Sequence, residues 1–274
     1  MLDAVNQYVS PDGRIRLYLG DSLILLPELL ELAPFDAICT DPPYSSGGAF
    51  RGDRMATAVS KYVRSDLQSS RREFEFSGDN RDQRAFLAWS SMWLAWCQQL
   101  ASQGAVCAVF SDWRQLPTMT DAVQAGGWVW RNLGTWWKPG CRMQKGRFSS
   151  SAEFIVYGTN GPHAQDGEDS PQNVFSCQPV ASEDKDHVAE KPVDVMNWLL
   201  GLTRAGCKVL DPFTGSGATA VACIRRGRQF VGIEKDPRSF ETAVKNIQEE
   251  LQREPLFGDN SSQQKSLLGD ESAA

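Results

Sequence analysis

Histidine is the scarcest chemically useful residue in this chain of 274: only His163 and His187 occur. A metal centre built on imidazole therefore has almost no ligands to draw on, and no metal is expected. The seven cysteines do not make up the deficit, being odd in number, scattered and never spaced as Cys-x-x-Cys. They read as buried or free thiols rather than as a disulfide frame or a zinc site. No run of about eighteen apolar residues exists, which excludes a membrane-spanning helix. Met1–Gln7 lacks the basic stretch and apolar run of a secretory signal, so a cytoplasmic location is expected. No internal repeat is visible.

An excess of positive charge is also missing, since the net charge is −6. Taken globally this argues against nucleic acid, but a polyanion meets a local patch, because charges beyond about 10 Å are screened at physiological salt. Residues 45–160 hold 14 Lys and Arg against 9 Asp and Glu. Arg51, Arg54, Lys61, Arg64, Arg71 and Arg72 fall in a stretch of weak apolar periodicity, 45–80, and Lys138, Arg142, Lys145 and Arg147 follow later. These ten are the candidates for phosphate contact. A merely solvated basic face would account for them equally well.

Elsewhere the pattern alternates between strand and helix. Strand candidates are Arg14–Leu19, Phe35–Thr40, Ala105–Phe110, Trp128–Trp137, Ala152–Tyr157, Lys208–Asp211 and Gln229–Glu234. Helices are expected over Leu23–Leu32, Asp82–Leu100, Thr120–Ala125, Val193–Thr203, Ala218–Arg226 and Arg238–Leu251. Phe86, Trp89, Trp93 and Trp96 recur at helical spacing and read as packing residues rather than a base-stacking ladder. Such alternation predicts an α/β fold with a doubly wound, mainly parallel sheet. Residues 1–252 are expected to form one domain and 253–274 a disordered tail.

The sharpest local pattern is Asp211-Pro212-Phe213-Thr214-Gly215-Ser216-Gly217-Ala218-Thr219-Ala220, between a strand and a helix. Its glycines let backbone approach a nucleotide closely, and Ala220 lets the helix pack on the sheet. The next strand ends in Glu234, nineteen residues after Gly215, where a carboxylate accepts ribose hydroxyls. An adenosine cofactor fits. So would a dinucleotide on these residues alone, although Pro212 and Phe213 stand where a redox fold usually continues its strand.

Asp41-Pro42-Pro43-Tyr44 closes an earlier strand. An exocyclic amino nitrogen is a poor nucleophile, because its lone pair is delocalised into the base. A carboxylate and the Pro42 carbonyl, both accepting its N–H bonds, pull it towards tetrahedral geometry, and the prolines pre-set the turn. Tyr44 offers a flat face to a base rotated out of a duplex. By itself the tetrapeptide is equally well a plain strand-ending turn.

The two patterns together resemble the β group of amino-methylating DNA methyltransferases, in which the catalytic motif precedes the cofactor motif. Leu19-Gly20-Asp21-Ser22 is similar to that group's Gly-Asp segment, which implies that Asp21 lies near the adenine of S-adenosylmethionine, with Ser22 also a cofactor-binding residue. His187-Val188-Ala189-Glu190-Lys191-Pro192 is similar to its His-x-x-x-Lys-Pro segment, which implies that His187 and Lys191 hold the methionine carboxylate. Trp136-Trp137-Lys138 and Glu153–Tyr157 also fit its later strands, and the match spans most of residues 15–250.

The resemblance implies a Rossmann-like class I methyltransferase fold in circularly permuted order, with one antiparallel strand in its sheet. S-adenosylmethionine is then the cofactor, held by Asp21, Ser22, His187, Lys191, Asp211, Phe213, Gly215, Ser216, Gly217 and Glu234. Asp41, Pro42, Pro43 and Tyr44 are the catalytic residues, and double-stranded DNA is the partner. A homodimer is a further implication. Adenine N6 is the favoured acceptor, because cytosine-N4 members more often begin the motif with Ser. Cytosine N4, and a catalytically silent DNA-binding subunit, stay as alternatives. The basic segment 45–80 is longer than a minimal member needs, and 158–187, the usual target-recognition region, is short and acidic. Recognition is therefore expected to be shared between them.

Overall fold

A computed structural model describes residues 2, 5–44, 81–140, 145–146, 148–179 and 191–253. Expectations for segment 45–80, for Arg142, Arg147 and His187, and for the tail from 254 onward lie outside those residues.

The described strands are β1 (Gln7–Val9), β2 (Ile15–Leu19), β3 (Phe35–Thr40), β4 (Ala101–Ser111), β5 (Val129–Trp137), β6 (Ala152–Thr159), β7 (Val174–Ser176), β8 (Lys208–Asp211) and β9 (Gln229–Glu234). They form one sheet in the order β1-β2-β9-β8-β3-β4-β6-β5-β7. From β2 across to β4 every pairing is parallel. Two strands run against the rest, not one as expected: β1 against β2, and β6 against both β4 and β5. Neither β1 nor β7 was legible, because each is three residues long with an exposed–partly exposed–exposed burial pattern. Such short edge strands carry no apolar signal.

The helices are α1 (Ser22–Leu25), α2 (Gln83–Gln99), α3 (Leu116–Ala125), α4 (Val193–Leu200), α5 (Ala218–Arg225) and α6 (Pro237–Gln252). The single helix expected over Leu23–Leu32 is one α turn followed by a 3-10 segment, Leu26–Leu32. Pro27 explains the break, since it brings no N–H to the ladder and its ring clashes with the preceding turn. Gly201 stops α4 three residues earlier than expected. Carboxylates start three of the helices: Asp21 Oδ1 accepts from Leu23 N at 3.0 Å, Asp82 caps α2, and Asp236 accepts from Ser239 N at 2.8 Å.

Alternate residues of each central strand enter opposite cores, as a two-residue period requires. Ala37, Cys39, Val106, Ala108, Phe110 and Val209 face α4, α5 and α6. Ile38, Cys107, Val109 and Leu210 face the 3-10 segment, α2 and α3. The result is a Rossmann-like three-layer sandwich with both sheet faces covered. Phe86 and Trp93 are fully buried in the second core, whereas Trp96, expected to pack, is 37 % exposed.

The chain winds outward from β3 to β4, and in the opposite direction from β8 to β9, although β3 and β8 are neighbours. This is a topological switch point, and open α/β sheets bind ligands in the crevice beyond the strand ends at such a point. Asp41 follows β3 and Pro212 follows β8, so both singled-out motifs open onto that crevice.

Candidate active site

The glycine turn forms one wall. Gly215 and Gly217 have φ of +56° and +92°, a region that side chains with a Cβ rarely adopt. A Cβ on Gly215 would meet nothing within 4 Å, whereas one on Gly217 would come within 3.2 Å of Ala243 on α6. Gly215 thus keeps open space beside the turn, and Gly217 lets α5 start against α6. The Glu234 carboxylate accepts from Gly215 N and Asp236 N, each at 2.7 Å. Burial pushes this group up to about 7, against the pull of those N–H bonds.

Beneath the turn, Asp211 is 1 % exposed and fully engaged. It accepts from Thr40 Oγ1 and Thr219 Oγ1, each at 2.6 Å, and from Phe213 N at 3.0 Å. Burial nevertheless raises its carboxyl to about 6. Ser22 Oγ donates to the Pro212 carbonyl, and Asp21 Oδ2 lies 3.0 Å from Lys235 Nζ. Phe213 rests on Trp89 and Trp93, with ring centroids 5.3 and 5.1 Å away. Those tryptophans of α2 therefore back the cofactor turn.

The opposite wall is the Asp41–Tyr44 turn. Pro42 is buried and Asp41 largely so. The Tyr44 hydroxyl lies 2.6 Å from Asp41 Oδ1 and 3.0 Å from Glu153 Oε2. Its one proton serves one carboxylate at a time. Lys191 Nζ donates to Asp41 Oδ2 and lies 3.3 Å from Glu153 Oε2, while Lys138 Nζ donates to Glu153 Oε1 at 2.9 Å. Two carboxylates and two ammonium groups thus form one closed, mainly buried network.

Its members titrate differently. Burial lifts Asp41 above the usual carboxylate range, with Lys191 pulling it down and Glu153 pushing it up. Burial also opposes ionisation of Glu153, but Lys191 and Lys138 outweigh it and hold this carboxyl at about 2. Lys191 stays above its ordinary range, because Asp41 and Glu153 overcome its burial.

The structure brings together Asp21, Ser22, Asp41, Pro42, Pro43, Tyr44, Lys191, Asp211, Phe213, Gly215, Ser216, Gly217 and Glu234 at these strand ends. Two of the predicted lysines have carboxylate partners here. Lys138, taken as a phosphate contact, turns inward to Glu153 and is 16 % exposed, because a buried carboxylate needs a counter-charge. Lys191, which the resemblance implied on a methionine carboxylate, pairs with Asp41 and Glu153. Lys145 is exposed. Sequence reasoning missed Thr40, Thr219 and the role of Glu153. The one available sign for Glu153 was a lone charge opening an otherwise apolar strand.

Comparison with known proteins identifies the arrangement. Residues 35–245 match the family model of N6/N4 DNA methylases, whose description is "DNA methylase". The chain belongs to that family. It is 22 % identical over 267 residues to the type II methyltransferase M2.MboI of Moraxella bovis, covering 88 % of this chain and 90 % of that protein. It is 24 % identical over 236 residues to M2.DpnII of Streptococcus pneumoniae, covering 78 % and 83 %. Among solved structures it is similar to the M1.HpyAVI complex with SAM, with TM-score 0.61, 22 % identity and coverage of 85 % and 98 %. It is likewise similar to the cytosine-N4-specific PvuII DNA methyltransferase, with TM-score 0.63, 16 % identity and coverage of 94 % and 90 %. These two likenesses establish the fold, a Rossmann-like and mainly parallel methyltransferase sheet.

Proposed function

We propose that this DNA methyltransferase uses S-adenosylmethionine to methylate adenine N6 of a base rotated out of duplex DNA. The carrying observation is the Thr40–Asp211 hydrogen bond, which ties the strand bearing Asp41 to the strand bearing the glycine turn. The residues present suit the cofactor: Glu234 keeps lone pairs for ribose hydroxyls beyond those used by Gly215 N and Asp236 N, and the space beside Gly215 is open. Phe213 and Asp21 flank the same turn. When bound, S-adenosylmethionine supplies an electrophilic sulfonium methyl group.

The remaining work belongs to Asp41, Pro42 and Tyr44. Tyr44 and Lys191 use one lone pair on each Asp41 oxygen, which leaves acceptor capacity for an incoming amine. Asp41 and the Pro42 carbonyl bind the two N–H groups, free the nitrogen lone pair and orient it. The amine sheds one proton as its N–C bond forms, and Asp41 is the base in reach. Because the catalytic strand comes before the cofactor strand in the chain, the proposal includes the permuted motif order of the β group. Exposed Trp113 and Trp137, at the carboxyl ends of β4 and β5, and exposed Lys145 support a nucleic-acid face on this edge. The basic residues of 45–80, which lie outside the described residues, are proposed as further phosphate contacts on the strength of their charge alone.

The test is transfer of tritiated methyl to duplex DNA, RNA and protein, followed by nucleoside analysis of the labelled DNA. N6-methyladenine is expected. N4-methylcytosine would move the acceptor to the alternative amine, and label on protein alone would overturn the reading.

A further inference from the structure

The buried network around Asp41 contains more charge than holding an amine requires. Asp41 alone could accept N–H bonds, yet Lys191 lies against it, and a bare ammonium there would weaken it as an acceptor. Glu153 changes that balance. It enters from β6, the strand antiparallel to β4 and β5, so its residue lies at the strand edge where β3 ends. Its Oε2 faces both Lys191 Nζ, at 3.3 Å, and the Tyr44 hydroxyl, at 3.0 Å, while Oε1 is held by Lys138 at 2.9 Å. Lys138 in turn lies over the Trp136 ring, 5.3 Å from its centroid. Glu153 is therefore fixed from the side away from Asp41 and offers its other oxygen towards Lys191.

We propose that Glu153 is a positioning residue for methyl transfer: it takes up the charge of Lys191 and so leaves Asp41 able to receive the proton of the reacting amine. The inference rests on the reading of Asp41 given above and deepens it. As nitrogen forms its bond to the methyl carbon and the C–S electron pair leaves on sulfur, one N–H proton passes to an Asp41 oxygen and then to water. Glu153 takes part in neither bond change. It divides the labour between two carboxylates, one permanently ionised beside two lysines and one left to exchange protons.

Among the described residues, the groups facing Asp41 come from several neighbouring elements. They are Lys191 before α4, Glu153 on β6, Tyr44 in its own turn, Asp211 on β8 and Cys39 on β3. Lys191 is the sole cation in that set, so the partner that Glu153 supplies to it decides how strongly it grips Asp41.

The experiment uses the full-length protein and its Glu153→Gln variant, with two readouts. One is the carbon-13 titration of the Asp41 carboxyl without ligand, assigned through Asp41→Asn. The other is the pH dependence of single-turnover methyl transfer to DNA. In Glu153→Gln the Asp41 titration and the acid limb both move down by about one pH unit. The transfer rate at neutral pH falls by about three- to tenfold. S-adenosylmethionine affinity, measured by calorimetry, stays within about twofold, a change of less than about 0.5 kcal/mol. An unmoved Asp41 titration overturns the proposal, as does a rate loss with an unmoved acid limb, which a structural role alone would give.

Should Glu153→Gln not fold, Lys191→Met with Glu153→Gln removes one cation and one anion together and keeps the pocket's net charge. Asp41 then keeps its burial and loses its cation, so its titration moves up; a downward or absent shift overturns the proposal. Methyl transfer by the unaltered protein separates the two levels of inference. Its absence from DNA would refute the function itself, whereas an active protein with an unaffected Glu153→Gln variant would refute only the role of Glu153.

Discussion

On the β8–β9 side the crevice is held by backbone N–H groups, hydroxyls and one turn of glycine-rich chain. On the β3 side it is held by long charged side chains that arrive from β5, β6 and the start of α4. Glu234 meets Gly215 nineteen residues away, and Asp211 meets Thr219 eight residues away. Asp41 meets Lys191 across 150 residues, and Tyr44 meets Glu153 across 109. The glycine turn and its closing acid are joined by local contacts, although Ser22, Thr40 and the α2 tryptophans reach the same wall from far along the chain. The wall that handles a proton depends on the whole sheet, and a buried ionic network of this kind is sensitive to every member.

The comparison breaks most clearly at Asp41. Asp41→Asn removes the charged acceptor but keeps the shape of the turn, and the hydrogen bonds of Asp41 run to Tyr44 and Lys191 rather than to the glycine turn. Methyl transfer is expected to fall by about a thousandfold or more, while S-adenosylmethionine binding by calorimetry stays within about twofold, under about 0.5 kcal/mol. Substantial transfer by the Asp41→Asn variant would mean that the two walls are not divided in this way.

The mirror-image change is at Glu234. Its carboxyl titrates at about 7 because burial disfavours its charge. If ribose hydroxyls need the ionised form, S-adenosylmethionine affinity rises by about tenfold from pH 6 to pH 8, following the ionised fraction. Glu234→Gln is expected to flatten that dependence and to weaken binding by about ten- to a hundredfold, a loss of about 1.5–3 kcal/mol. Calorimetry across that pH range checks both. An unchanged slope in the variant would assign the titration elsewhere.

The same contrast explains what the sequence made legible. Strand, glycine turn, helix and closing acid are contiguous, so the β8–β9 wall could be read from spacing, and the alternating runs gave the sheet and most helices. Asp41–Tyr44 could be found but not its company. A lysine reads as a surface charge until something shows that a carboxylate faces it, so the sequence alone offers Lys138 as a phosphate contact and is silent on its pairing with Glu153. Glu153 was visible only as the first charge of an apolar strand. The 3-10 segment after α1 was within reach, since Pro27 stands inside the run read as a helix. The edge strands β1 and β7 were not, because three exposed residues carry no period.

Gly217 sharpens the comparison in stability rather than activity. Its φ of +92° and the 3.2 Å approach to Ala243 make any side chain costly. Gly217→Ala is expected to lower unfolding free energy by about 2 kcal/mol, measured by urea denaturation. Gly215→Ala carries similar backbone strain without a clash, since nothing lies within 4 Å of its Cβ position. It is expected to cost less stability and to be felt mainly in S-adenosylmethionine affinity.

The smallest effect tests the bond joining the walls. Thr40 is fully buried, and its hydroxyl donates to Asp211 at 2.6 Å. Thr40→Val keeps the shape and deletes the donor, leaving Asp211 with Thr219 and Phe213 N, at a cost of about 1–2 kcal/mol. The sign of the pH dependence follows from Asp211, whose carboxyl is raised from an ordinary value of 3.8 to about 6. The folded protein holds that proton more tightly than the unfolded chain. Its contribution to stability is therefore complete below the ordinary value and is lost as pH rises through the raised one. Removing a donor that favours the ionised form raises this group further. The difference between Thr40→Val and the unaltered protein should then be larger at pH 8 than at pH 5, by urea denaturation at both. A difference independent of pH would show that Thr40 contributes packing alone, and that the two walls meet without sharing a charge.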